Sequence, residues 1–195
     1  MNAIALLHLG ISPKAVQPFQ KLSPGLQIKT DLKCPGELNA VLVFGGDGTV
    51  HRYLPELHRY KIPTLVVPVG SGNDFARALG IRNVQIALQA WKHFCDGRKN
   101  IREIDLGAVR SGNKETLFCC VAGAGLDAAS NARANRMPMW LRRRGGYLLA
   151  ALWSLAGART ASISVQSQEI VPANAHLSQR RGLAWMVALG NVHRY

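Results

Sequence analysis

The sequence is short of acid. Its 195 residues carry 11 Asp and Glu against 24 Lys and Arg, a formal charge of +13. A chain this cationic needs an anionic partner or surface: nucleic acid, lipid headgroups or nucleotide phosphates. Sixteen of the 24 bases are Arg, the side chain that grips phosphate in a planar fork. Cysteine is scarce and unpatterned. Cys34, Cys95, Cys119 and Cys120 contain no CxxC pair and no metal-ligand spacing, which argues against a disulfide framework and predicts reduced thiols in a cytoplasmic protein. On a strand, the adjacent Cys119 and Cys120 would point to opposite faces. Aromatics make up only 7% and no RNA or DNA motif accompanies the charge, so no nucleic-acid partner is expected. The amino terminus has neither a basic n-region nor a small-residue cleavage site and reads as a buried first strand. The longest apolar run, residues 145–158, is shorter than the roughly 20 residues of a spanning helix. Surface attachment remains open.

What is present suffices for a packed core: 48% of the residues are apolar, and the length predicts one domain or one and part of a second. The charge is uneven. Residues 1–127 hold 15 bases and 10 acids, whereas residues 128–195 hold nine bases and one acid, Glu169.

Residues 3–9, 26–30, 40–44 and 63–67 read as strands, the third a continuous apolar run suited to a parallel strand covered on both faces. Helices are predicted over 13–21, where Pro18 is a poor fit, over 50–60, which contains Pro55, over 73–79, and over 83–95 with Asn83 as N-cap. Strand, loop and helix repeated in this order give an open α/β sheet. Beyond residue 100 the pattern changes. Residues 101–109, 116–122, 161–166 and 183–189 read as strands, interrupted by a single helix over 146–157, which predicts a mostly antiparallel second domain. Its strand edges would be unpaired and would favour homo-oligomers.

Two glycine loops carry the chemistry. Gly45-Gly46-Asp47-Gly48-Thr49-Val50 follows a buried strand and opens a helix, the place where open α/β sheets bind ligands. Its glycines let backbone amides approach phosphate, Thr49 offers a hydroxyl, and the helix dipole adds positive charge. Asp47 would repel a phosphate. Its possible roles are holding Mg²⁺ through water, receiving a hydroxyl proton, or hydrogen-bonding the loop. The second loop, Gly70-Ser71-Gly72-Asn73-Asp74, repeats the layout. Asn73 or Asp74 can cap its helix, and Arg77 can reach a phosphate or pair with Asp74. Neither loop is a P-loop or a dinucleotide fingerprint. His51, just inside the first helix, reads as a surface residue.

GGDGT followed by PVGSGNDFAR resembles the catalytic domain of the diacylglycerol kinase and bacterial lipid kinase family, which is related to sphingosine kinases. Further matches occur in order at Asp105-Leu106-Gly107, at residues 118–128 with Gly125 and Asp127 in register, at residues 147–152, and at Leu189-Gly190-Asn191. The resemblance implies a Rossmann-like amino-terminal domain followed by a partial antiparallel β-sandwich, with the active site between them. It divides the chain into an ATP-binding α/β domain, residues 1–100, and an incomplete β-rich lipid-substrate domain, residues 101–195. ATP phosphates would lie on Gly45, Gly46, Asp47, Gly48, Thr49 and Val50 and on Gly70, Ser71, Gly72 and Asn73, with Thr30 as a further nucleotide contact. Asp47 and Asp74 would be catalytic, and Asp47 would organise Mg²⁺. The implied reaction transfers the γ-phosphoryl group of ATP to a diacylglycerol-like lipid hydroxyl.

The sequence departs from the family at His8-Leu9-Gly10, which replaces Asn-Pro, at Cys120, which replaces Asn, and in the nine residues between Thr30 and the third strand. Family members also continue beyond residue 195, into a metal loop and a late catalytic acid. This chain therefore reads as carboxy-terminally truncated and as a better nucleotide binder than catalyst. The alternatives are a nucleotide-binding or membrane-docking remnant without turnover and, more remotely, an NAD kinase. Arg136, Trp140, Arg142, Arg143 and Arg144 form a candidate patch for an anionic membrane surface, such as the inner face of the cell membrane.

Overall fold

The computed structural model describes residues 1–32, 38–97, 100–138, 141, 145–168 and 177–191. The chain divides into two compact units, residues 1–121 with the segment from Gly190, and residues 122–189.

The first unit is built on four parallel strands, β1 (Ala3–Leu7), β2 (Leu26–Lys29), β3 (Ala40–Gly45) and β4 (Thr64–Pro68), in the order β2-β1-β3-β4. The two-residue period of a strand explains how both faces are filled. Ile4, Leu6, Val41 and Val43 face one side, where α2 (Asp47–Tyr60) and α3 (Asp74–Ala78) supply Val50, Tyr53, Leu54, Leu57, Phe75 and Ala76. Ala3, Ala5, Ala40, Leu42 and Phe44 face the other, against Val16 and Phe19 at α1 (Gln17–Leu22) and Ala87 and Trp91 of α4 (Val84–Cys95). The small alanines on this second face leave room for rings. Phe19 meets Phe44 edge-on at 5.1 Å, and the buried Trp91 donates its indole N–H to the Phe19 carbonyl at 3.2 Å. That bond ties α4 to α1.

The prolines fall where a helix tolerates them. The predicted 13–21 helix is a 3-10 turn, Pro13–Val16, followed by α1, so Pro18 sits in the first turn, where its missing N–H has no intrahelical partner to lose. Pro55 lies inside α2 on its exposed side, and the helix continues through it. Asn83 caps α4 as expected, its side chain accepting from the Ile86 amide at 2.9 Å.

The first unit ends in an antiparallel hairpin, β5 (Gly107–Ser111) and β6 (Lys114–Phe118), turned by Gly112 at φ +57. The second unit contains β7 (Val121–Gly125), α5 (Leu126–Arg136), α6 (Tyr147–Ala156), β8 (Ala161–Gln168), β9 (Leu177–Ala184) and β10 (Met186–Gly190). β8 and β9 form an antiparallel pair, and β7 pairs with β10. An α/β unit with a parallel sheet, followed by antiparallel strands, is the architecture the sequence implied.

Several boundaries differ from expectation. Strand pairing in the predicted 101–109 segment begins only at Gly107. The predicted 116–122 strand breaks at Cys119 and Cys120, whose carbonyls accept from the Asn191 side chain at 3.4 Å and the Asn191 amide at 2.7 Å. The predicted 183–189 strand breaks at Trp185, whose carbonyl accepts the Leu126 amide at 2.9 Å. A second helix, α5, was not predicted at all. Its only regularly placed small apolar residues are alanines, so it carries almost no hydrophobic periodicity.

Trp91→Ala should cost about 3–5 kcal/mol, because it empties a filled site and breaks the α1–α4 tie; Trp91→Phe should cost clearly less. Urea unfolding of the two variants checks this, and equal, small losses would show that the indole is not the core's anchor.

Candidate functional site

All four parallel strands end at one edge of the sheet. The chain leaves β1 toward β2 on one side and leaves β3 toward β4 on the other, so β1 and β3 flank a topological switch point, where a crevice forms outside the strand ends. The β3–β4 register sets Gly45 opposite Pro68 and brings the two glycine loops side by side.

The loops are closely apposed. A Cβ on Gly46 would collide with the Gly72 carbonyl oxygen, and one on Gly70 with the Gly46 backbone. Neither position admits any residue but glycine without separating the loops. The Asp47 amide donates to the Gly72 carbonyl at 3.0 Å, and the Val69 amide reaches the Gly45 carbonyl at 3.3 Å.

Asp47 completes the junction. Its Oδ2 accepts the Asp74 amide and its Oδ1 the Phe75 amide, each at 3.0 Å. One carboxylate from the first turn of α2 therefore caps α3, whose own N-cap, Asn73, makes no side-chain bond to the helix. Asn73 instead closes its own loop: its Nδ2 donates to the Gly70 carbonyl at 2.8 Å and its Oδ1 accepts the Gly70 amide at 3.3 Å. Of the three roles open to Asp47 in the sequence, the loop hydrogen bond is the one present in this geometry.

The remaining sequence-predicted residues separate into two groups. Gly48, Ser71 and Gly72 are exposed. The amides of Ser71 and Gly72 donate no hydrogen bond among the described residues, and that of Gly48 is a first-turn donor with no intrahelical acceptor. Thr49 and Val50 are buried; the Thr49 side chain fills the space over Gly45. Thr30 directly follows β2, two strands from β3, and its carbonyl accepts the Tyr53 hydroxyl at 3.0 Å, which joins it to α2 instead of to either loop. Asp74 is exposed and pairs with Arg77 at 3.0 Å, and His51 is exposed. Arg136 is exposed at the end of α5, while Trp140, Arg142, Arg143 and Arg144 lie outside the described residues.

Cys119 and Cys120 do not point apart. They sit in a bend, and both pack on the α2-side core. A hydrogen bond between the two thiols pushes Cys119 down from its ordinary value and, together with burial and the charges of Cys119, Asp47 and Asp74, pushes Cys120 up. The Asn191 side chain also donates to the Asp105 carbonyl at 2.7 Å, so this one residue holds three backbone carbonyls beside the site. Spacing gives no hint of that role; only the family pattern singles the residue out. A groove of about 730 Å³ lined in part by Leu57, Thr64, Val66, Trp91 and Ile104 lies along β4; of the two glycine loops it touches only Val50, at the end of the first.

The arrangement fits nucleotide phosphates. Gly48, Ser71 and Gly72 are exposed, Gly48 lies in the first turn of the 14-residue α2, and the positive end of that helix favours an anion. It offers no cage for a directly ligated ion: no group of three or more His, Cys, Asp or Glu is placed to hold a metal among the described residues.

Residues 19–109 match the family model of the diacylglycerol kinase catalytic domain. Those 91 of the 195 residues are similar to the diacylglycerol kinase catalytic domain. It is 36% identical over 128 residues to a diacylglycerol kinase of Mycobacterium tuberculosis, a match covering 62% of this chain and 38% of that protein. It is 40% identical over 91 residues to a diacylglycerol kinase of Bacillus subtilis, covering 46% of this chain and 28% of that one. The chain thus matches well under half the length of these curated relatives. In fold it is similar to a crystal structure of a candidate diacylglycerol kinase from Bacillus anthracis, with a TM-score of 0.62 and 19% identity over 98% of this chain and 66% of that one.

Asp47→Ala should leave the first amides of α3 uncapped and lower stability by about 1–2 kcal/mol. Hydrogen exchange should accelerate at Asp74 and Phe75; unchanged exchange at both amides would contradict the clamp.

Proposed function

We propose that this chain is an ATP-dependent lipid kinase, transferring the γ-phosphoryl group of MgATP to the hydroxyl of a diacylglycerol-like lipid. The observation that carries the reading is the pair of glycine loops held together by the Asp47 carboxylate at the switch point of the sheet. The likeness of residues 19–109 to the diacylglycerol kinase catalytic domain supports the reaction class.

In this reading the amides of Gly48, Ser71 and Gly72 receive phosphate oxygens, and Gly45, Gly46, Gly70 and Asn73 hold those amides in position. The α2 dipole adds positive charge where negative charge gathers during transfer. MgATP enters as substrate and supplies both the phosphoryl group and the ion that shields it. Asp47, each of whose oxygens accepts one amide proton, would hold that ion through water. It is chiefly a positioning residue. Asp74, whose carboxylate is exposed and takes no part in the clamp, is the candidate to accept the proton of the lipid hydroxyl. Thr30 contributes at the margin of the nucleotide site.

The acceptor is a lipid, so the enzyme works at a membrane surface, with Arg136, Trp140, Arg142, Arg143 and Arg144 as the proposed anionic-surface patch. Among the described residues no helix is long and apolar enough to cross a membrane; the proposed location is peripheral, at the cytoplasmic side of the membrane. The use of both Asp47 oxygens as acceptors for backbone amides favours a second reading, nucleotide binding without turnover.

One assay separates the readings. The purified chain is incubated with labelled ATP, Mg²⁺, NAD and mixed diacylglycerol, phosphatidylglycerol and sphingoid lipids, in parallel with Asp47→Ala. Labelled lipid that the variant fails to form is the expected result. ATP binding without labelled lipid would leave only the binding reading, and labelling of NAD in place of lipid would contradict both.

A further inference from the structure

We propose that α6 is a membrane-docking element: its outward apolar face enters the headgroup region of an anionic bilayer, with Arg133, Arg136 and Arg159 on lipid phosphates at its margins. The inference rests on the lipid-kinase reading above and names the surface through which that enzyme would reach its substrate.

The helix is packed the wrong way round for water. Leu148, Leu149, Leu152, Trp153 and Leu155 are 46–69% exposed, while Ala150 and Ser154 are buried at 0% and 4%. Ala150 and Ser154 are one turn apart and make a seam of small side chains facing α5, where Ala134 is also fully buried. A helix that covers a core next to water turns its large apolar residues inward and its small or polar ones outward. Here the order is inverted, and none of the ten residues of α6 is charged. Leu148, Leu152 and Leu155 form one row at spacings of four and three, and Leu149 and Trp153 form the row beside it.

Arginine borders this face. The Arg133 guanidinium stands 5.7 Å from the Trp153 ring centroid, which pairs a cation with an aromatic ring as at a lipid–water boundary. Arg136 lies one turn further along α5, and Arg159 lies three residues beyond the end of α6; both are exposed.

Charge and size select the occupant. A second copy docked on the same face would bring two basic rims together, since residues 128–195 hold nine Arg and one acid, and the like charges would repel. Anionic headgroups complement that rim. A ten-residue helix is about 15 Å long, half the roughly 30 Å of a hydrocarbon core, so α6 lies in the interface and does not span it.

The test is sedimentation of the 195-residue chain with vesicles of phosphatidylglycerol and phosphatidylcholine, alongside pure phosphatidylcholine. Wild type should bind the anionic vesicles. Leu149→Glu/Leu152→Glu should bind them at least roughly tenfold more weakly, with unchanged melting temperature. Arg133→Ala/Arg136→Ala should also weaken binding roughly tenfold, with the difference vanishing at high salt. Wild type left in the supernatant, or equal binding by the leucine variant, would overturn the proposal. So would a wild-type dimer that the leucine variant disperses while vesicle binding persists. ATP titration of the same samples keeps the two readings apart. Lost vesicle binding with ATP still bound counts against docking alone; vesicle binding without ATP binding counts against the kinase reading alone.

Discussion

The site depends on one carboxylate shared between two loops. An aspartate among glycines at a turn proposed to receive phosphate is unfavourable on charge alone, because it would face the ligand's negative oxygens. The structure resolves the conflict by turning Asp47 sideways, where its oxygens accept two amides at the start of α3. Bonds of this kind, from a charged acceptor to backbone donors, are short and strong. They place the charge where a helix N-terminus needs one, and in the proposed reading they leave the amides of Gly48, Ser71 and Gly72 for an anion. Gly46 and Gly70 follow from the same constraint, since the clamp closes only if the two backbones touch.

The sheet makes this contact possible. Parallel strands put every carboxyl end on one edge, and the β3–β4 register sets the loops level with each other. Burying both faces of such a sheet requires helices on each, and the alternation of Ala with Ile and Leu along β1 leaves room for Phe19, Phe44 and Trp91 on the alanine face. Function at the strand ends thus rests on packing at their centres. The apolar face of α6 shows the same logic inverted: in place of a core, it has outward leucines and a rim of arginine.

Much of the first unit was legible in the sequence, because its signals are physical and local. Continuous apolar runs marked β3 and β4, and glycines marked the loops. Asn83 marked the start of α4. The role of Asp47 was only one of several options, because a carboxylate's partners lie 27 and 28 residues away and no spacing rule links them. The thiols of Cys119 and Cys120 were expected on opposite faces; a bend held by Asn191, 71 and 72 residues downstream, sets them on one. Helix α5 escaped because alanines alone give no period. The breaks at Cys119–Cys120 and at Trp185 are tertiary in origin: each carbonyl there accepts a hydrogen bond from a residue remote in sequence.

The most direct test of the clamped double loop is hydrogen exchange with and without MgATP. The account predicts that nucleotide slows exchange in residues 45–50 and 70–75 together, and that Asp47→Ala abolishes protection in both. Protection confined to one loop, or retained in full by the variant, would contradict a single phosphate-binding surface held together by Asp47.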